Sequence, residues 1–137
     1  MSLERSTLFL VASLSQAAVV FLAERVGLST LGARATALQL LVHVLAGQLA
    51  GYILALALDQ SPALKRASIW AVGPVYGALF WWIALSLAAA RGTVRAPWTQ
   101  GAPTVSFTLL AFMVFGVIAA AVVRRTQGVI PDRRNAG

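Results

Sequence analysis

The chain has 137 residues, of which 59% are hydrophobic and 11% charged, a composition far more apolar than that of a soluble domain. The absence of cysteine excludes disulfides, thiolate metal sites and cysteine nucleophiles. The net charge of +7 comes from basic residues at the ends of apolar segments, where they meet lipid headgroups, so it does not indicate a nucleic-acid partner.

Four stretches without a charged residue are long enough to cross a membrane: 6–23, 35–58, 67–90 and 96–123. A hydrocarbon core about 30 Å thick needs roughly 20 apolar residues in a helix. The stretches lack the alternating pattern of barrel strands, and only helices and closed barrels satisfy their backbone in lipid. We therefore predict an all-α integral membrane protein, a single domain over 1–137 with four transmembrane helices in an up-down-up-down bundle.

The first two helices are predicted over 6–26 and 35–58. The rival interpretation of the first, a cleaved signal peptide, is disfavoured because its apolar run exceeds the usual core of about 7–15 residues and no A-x-A-like site follows. The third helix is predicted over 62–90, since Ser61 suits an N-cap and Pro62 the first helical position. The fourth is predicted over 103–125, followed by a basic tail over 126–137.

The distribution of basic residues predicts the orientation. With a cytoplasmic N-terminus, seven Lys and Arg residues lie on the cytoplasmic side and four on the other, which favours both termini inside. Ten of the eleven cations are arginine, and alanine is abundant, as in proteins of GC-rich bacterial genomes. We predict a multi-pass protein of the bacterial cytoplasmic (inner) membrane.

Pairs of glycines spaced four residues apart occur on consecutive helices, Gly47 with Gly51 and Gly73 with Gly77, and Gly116 shares a weaker pattern with Ala120. In lipid, small residues that let backbones approach closely carry helix packing. We expect the second and third helices to pack through these glycines. Packing within one chain and a seam between identical chains are both open.

A small and polar stripe follows one face of the second helix: Thr36, Gln39, His43, Ala46, Gly47 and Ala50. Intramembrane ionisable groups are often functional, so His43 is a candidate proton relay or metal ligand, with Gln39 lining a pathway. The favoured alternative is structural, with both side chains bonded to neighbouring helices through Ser13, Gln16 or Tyr76. A single histidine with no carboxylate in any span does not build a metal site.

The segment 73–82, Gly-Pro-Val-Tyr-Gly-Ala-Leu-Phe-Trp-Trp, and the run Phe-Gly-Val-Ile at 115–118 resemble the second half of the bacterial YqhR-type small membrane proteins. The resemblance covers about half of the chain and departs from it in the N-terminal half. It implies a bacterial inner-membrane protein and assigns no site.

The sequence has no nucleophile–base pair, phosphate loop or haem or quinone ligand set, so we expect no enzyme, no catalytic or metal-binding residue and no cofactor. The expected function is a scaffold or auxiliary subunit that acts by helix–helix association, with membrane lipid and a homo-oligomer or larger membrane complex as partners. The alternative is a small transporter or channel formed by a homo-oligomer.

Overall fold

The computed structural model describes residues 2–34 and 36–128, and in these ranges the chain forms helices and no strand. The helices are α1 (Leu3–Arg25), α2 (Ala37–Gln60), α3 (Pro62–Arg66), α4 (Ile69–Ala90) and α5 (Ala102–Gln127), with a short 3-10 helix at Pro97–Thr99. Four of them, α1, α2, α4 and α5, are long and apolar enough to span a membrane. The prediction of an all-α four-helix membrane fold is confirmed.

Most of these helices begin at a serine or threonine whose hydroxyl accepts a hydrogen bond from an amide of the first turn. Ser2 caps α1 through the amide of Arg5 at 3.3 Å, so α1 begins before the predicted residue 6. Thr36 caps α2 at 3.2 Å. The last long helix, α5, continues to Gln127, and residues 129–137 of the predicted tail lie outside the described ranges.

The helix predicted over 62–90 is interrupted, and this part of the prediction is wrong. Ala67 and Ser68 are extended, with ψ angles of 148° and 144°, so α3 ends and α4 starts anew. The Ser68 hydroxyl accepts from the amide of Trp70 at 3.2 Å and caps α4. Pro74 lies inside α4 without ending it.

The last helix, α5, is the centre of the bundle. It carries more buried residues than any other helix and packs against α4, α1 and α2. A second contact joins α1 to α2, whereas α2 and α4 touch only briefly. Phe9, Leu54, Phe115 and Val123 belong to the larger apolar core, and Phe112, Leu85 and Leu31 form a smaller one. The bundle thus consists of two helix pairs, α1 with α2 and α4 with α5, and α5 joins the pairs because it also packs against α1 and α2.

Polar contacts show which chain segments meet at each end of the bundle. At the terminal end, the Arg5 Nε donates to Thr126 at 2.8 Å, and Arg124 donates to the carbonyls of Leu64 and Ala67. At the loop end, the connecting residues 26–34 and 91–101 meet, and the Arg95 amide donates to the Leu31 carbonyl at 2.6 Å. The start of α1, the end of α5 and the α2–α4 connection therefore lie at one end.

Candidate functional site

Three glycines allow α4 and α5 to touch backbone to backbone. A Cβ added at Gly73 would lie 2.6 Å from the Val117 Cα, and one at Gly77 would overlap the Phe112 carbonyl. A Cβ added at Gly116 would overlap the Gly73 carbonyl and lie 2.9 Å from the Gly77 Cα. Backbone atoms cannot move aside as the end of a flexible side chain can. Any larger residue at these positions therefore requires α4 and α5 to separate.

The other two glycines, on α2, face α1. A Cβ at Gly51 would lie 2.6 Å from the ring of Phe9, and one at Gly47 would overlap the Ser13 hydroxyl. Both glycines are buried by this contact.

The glycine pairs thus have different partners from those expected, and the predicted packing of Gly47 and Gly51 against Gly73 and Gly77 is wrong. The α2 glycines contact α1 and the α4 glycines contact α5. The physical reason is that α5, rather than α2, packs along α4 and presents its own glycine, Gly116, to Gly73 and Gly77. Each of these five glycines lies in a helix contact within the chain.

The two polar residues predicted to share a stripe have separate roles. The Nε2 atom of His43 lies 3.1 Å from the Ser13 carbonyl, so this imidazole joins α2 to α1. The Gln39 side chain accepts from the amide of Arg34 at 3.1 Å and closes the start of α2. The structure therefore does not bring Gln39 and His43 together as one pathway-like surface.

Two side chains on the buried face of α1 have polar atoms without a partner among the described residues. Ser13 is 0% and Gln16 4% exposed, and neither the Ser13 hydroxyl nor either polar atom of the Gln16 amide makes a hydrogen bond over residues 2–34 and 36–128. An amide removed from water without a partner costs on the order of 1–3 kcal/mol in proteins. The hydroxyl of Ser13 and the amide of Gln16 are therefore buried on α1 without a hydrogen-bond partner among the described residues.

Further polar contacts between helices were not anticipated from the sequence. The Gln48 amide donates to the Ser6 carbonyl at 2.8 Å and accepts from its hydroxyl at 3.2 Å, and the Trp81 indole donates to Thr108 at 2.9 Å. The Tyr76 hydroxyl donates to the Ala50 carbonyl. Gln48 lies off the polar stripe predicted on α2, and Tyr76 and Trp81 lie on a helix that is otherwise largely apolar, so they give little periodic signal. Their polarity inside a span is the signal that was available.

Two open pockets of about 440 Å³ each lie at different ends of the bundle. The one at the terminal end is lined by Leu58, Asp59, Lys65, Arg124, Gln127 and Gly128. Its charges are largely engaged, because Asp59 accepts from Gln127 at 2.6 Å and lies 4.0 Å from Lys65. The other pocket is an apolar groove between α1 and α2. Over residues 2–34 and 36–128, no three metal-ligating side chains cluster.

Comparison of the chain with protein-family models, with curated proteins and with solved structures finds no match.

The two intramembrane glutamines should respond in opposite directions to substitution by methionine, which has a similar size. Gln16→Met removes an amide without a partner and should raise the free energy of unfolding by about 1–2 kcal/mol. Gln48→Met breaks two interhelical bonds and should lower it by about 1 kcal/mol. Equilibrium unfolding in detergent micelles measures both. A loss of stability in Gln16→Met as large as that in Gln48→Met contradicts the unpaired state of the Gln16 amide.

Proposed function

We propose that the protein is a non-enzymatic scaffold or auxiliary subunit that binds another membrane protein through the outward face of α4. This outward face consists of Val75, Leu79, Trp82 and Ile83, which are exposed in the isolated chain. Of the four spanning helices, α4 buries the smallest share of its length within the bundle. It therefore has the most surface for a contact with a second protein.

The observation that carries the proposal is the position of Trp82. Its side chain is 58% exposed, and it lies 13 residues after Ile69 in a helix of 22 residues. At about 1.5 Å per residue, this is close to the middle of the membrane rather than at the interface where tryptophan is usually enriched. Anchoring at the membrane interface therefore does not explain an exposed tryptophan at this depth.

Hydrogen bonding distinguishes Trp82 from its neighbour. The Trp81 indole donates to Thr108 within the chain, whereas the exposed Trp82 indole makes no hydrogen bond among the described residues. The bilayer core offers no water, and an unsatisfied polar group there is costly. A partner helix with a hydroxyl, amide or carbonyl oxygen opposite Trp82 removes that cost.

The same chemistry favours a different protein over a second copy. The indole is a donor only. In a two-fold interface centred on Trp82, the two indoles lie at the same depth and cannot bond to each other. The glycines also do not supply a seam between copies, because Gly47, Gly51, Gly73, Gly77 and Gly116 all lie in contacts within the chain.

The alternative, a small transporter or channel formed by a homo-oligomer, has less support. Its pathway was expected along Gln39 and His43, and both side chains have partners within the chain. The bond from His43 to the Ser13 carbonyl fits the structural role expected for this residue. The partnerless Gln16 amide is the feature of the interior that still favours a hydrated pathway.

The partner contact is tested by Trp82→Phe, which keeps an aromatic ring and removes the donor, with Tyr52→Phe on the exposed face of α2 as the matched control. The measurement is the fraction of tagged chain that migrates in a larger complex after mild solubilisation of native membranes. One interhelical bond of about 1–2 kcal/mol corresponds to a loss of roughly 5–30-fold in association for Trp82→Phe. Tyr52→Phe should behave as the parent.

Three results contradict the proposal. Migration of the parent as a single 14.4 kDa chain after mild solubilisation contradicts it, since no partner is then bound. A complex that contains this chain alone contradicts a different protein as partner. A pH-dependent flux in proteoliposomes that His43→Gln abolishes supports the transporter instead.

We further propose that both termini are cytoplasmic in a bacterial inner membrane, as the count of basic residues and the resemblance to YqhR-type proteins suggest. The chain has no cysteine, so single cysteines report its topology. In intact cells, Ala63→Cys in α3 should resist an impermeant maleimide and Thr99→Cys at the loop end should react. Reaction of Ala63→Cys, alone or together with Thr99→Cys, contradicts this orientation.

A further inference from the structure

An apolar groove between α1 and α2 opens sideways toward the lipid. It is lined by Leu14, Ala17, Ala18, Phe21, Thr36, Ala37 and Leu40 and has a volume of about 440 Å³. It adjoins the contact of Ser13 with Gly47, where the two helices touch, and the alanines beyond that contact leave the space between them. Its volume is in the range of about 300–1,000 Å³ that small-molecule sites have.

Two arginines flank the groove at the loop end. Arg25 follows Phe21 by one turn on the same face of α1, and Arg34 lies two residues before Thr36. Both are exposed. An apolar groove with cations at its mouth matches a molecule that is apolar along its length and anionic at one end.

The nearby carboxylate does not neutralise these cations by pairing with them. Glu24 accepts hydrogen bonds from the amides of Leu31 and Gly32 at 3.1 and 2.6 Å, which holds the α1–α2 connection in place. The ion pair of the described ranges, Asp59 with Lys65, lies at the opposite end of the bundle. Arg25 and Arg34 are therefore available to an anion.

We propose that this groove binds an anionic phospholipid, with one acyl chain between α1 and α2 and the phosphate at Arg25 and Arg34. Arginine binds phosphate through paired N–H groups, and basic side chains at a membrane surface attract anionic lipid. The lipid site lies between α1 and α2. It is separate from the outward face of α4 and independent of the proposed function.

The experiment is native mass spectrometry of the purified chain in detergent, titrated with phosphatidylglycerol or with zwitterionic phosphatidylcholine. The parent should bind phosphatidylglycerol preferentially, at one copy per chain. Arg25→Gln with Arg34→Gln should weaken this binding by on the order of tenfold or more. Arg91→Gln with Arg95→Gln, which removes the same charge from the same end, is the control and should bind as the parent.

A second variant tests the groove itself. Ala18 is exposed at the rim, so Ala18→Phe should fill the space without disturbing the core and should also weaken phosphatidylglycerol binding. Equal loss in both double-arginine variants means a diffuse basic surface and overturns the proposal. Equal binding of the two lipids overturns the role of the arginines, and full binding by Ala18→Phe overturns the acyl-chain groove.

Discussion

The close approach of α4 to α5 at Gly73, Gly77 and Gly116 is the constraint on which the rest of the bundle depends. Hydrocarbon is as apolar as the helix surfaces, so burial supplies little drive for association, and close van der Waals contact must supply it. The glycines permit that contact because backbone meets backbone there. With α4 held on one side, α5 is free to bury its other faces against α1 and α2.

Polar groups inside the bundle then separate into two kinds. Gln48, Trp81 and Tyr76 have partners on other helices: Gln48 bonds within the α1–α2 pair, Trp81 within the α4–α5 pair, and Tyr76 joins α4 to α2. Gln16 and the Ser13 hydroxyl have none within the described ranges. On the outside, Trp82 has the same lack at a depth without water. The five helix-packing glycines lie in contacts within the chain, so the proposed contact with another protein relies on the surface around Trp82 instead.

The number, length and helical nature of the spans were predictable, because a membrane of fixed thickness imposes them on any uncharged run. The break at Ala67 and Ser68 was not, since neither residue opposes a helix and Ser68 acts only through its position as a cap. The helix partners were also missed. Spacing shows which face of a helix is small, but it does not show which helix lies against that face. Gln39 illustrates the same limit, because its partner is the local amide of Arg34.

Pairing of α2 with α1 rather than α4 is tested most directly by cysteine pairs in this cysteine-free chain. A Cβ added at Gly47 would lie 3.0 Å from the Ser13 Cβ, so a small shift reaches the roughly 3.5–4.5 Å of a disulfide. Ser13→Cys with Gly47→Cys should cross-link on oxidation in membranes, joining tryptic fragments that cleavage at Arg25 and Arg34 otherwise separates. Gly47→Cys with Gly77→Cys should not. A cross-link in the second pair and none in the first contradicts this arrangement of the helices.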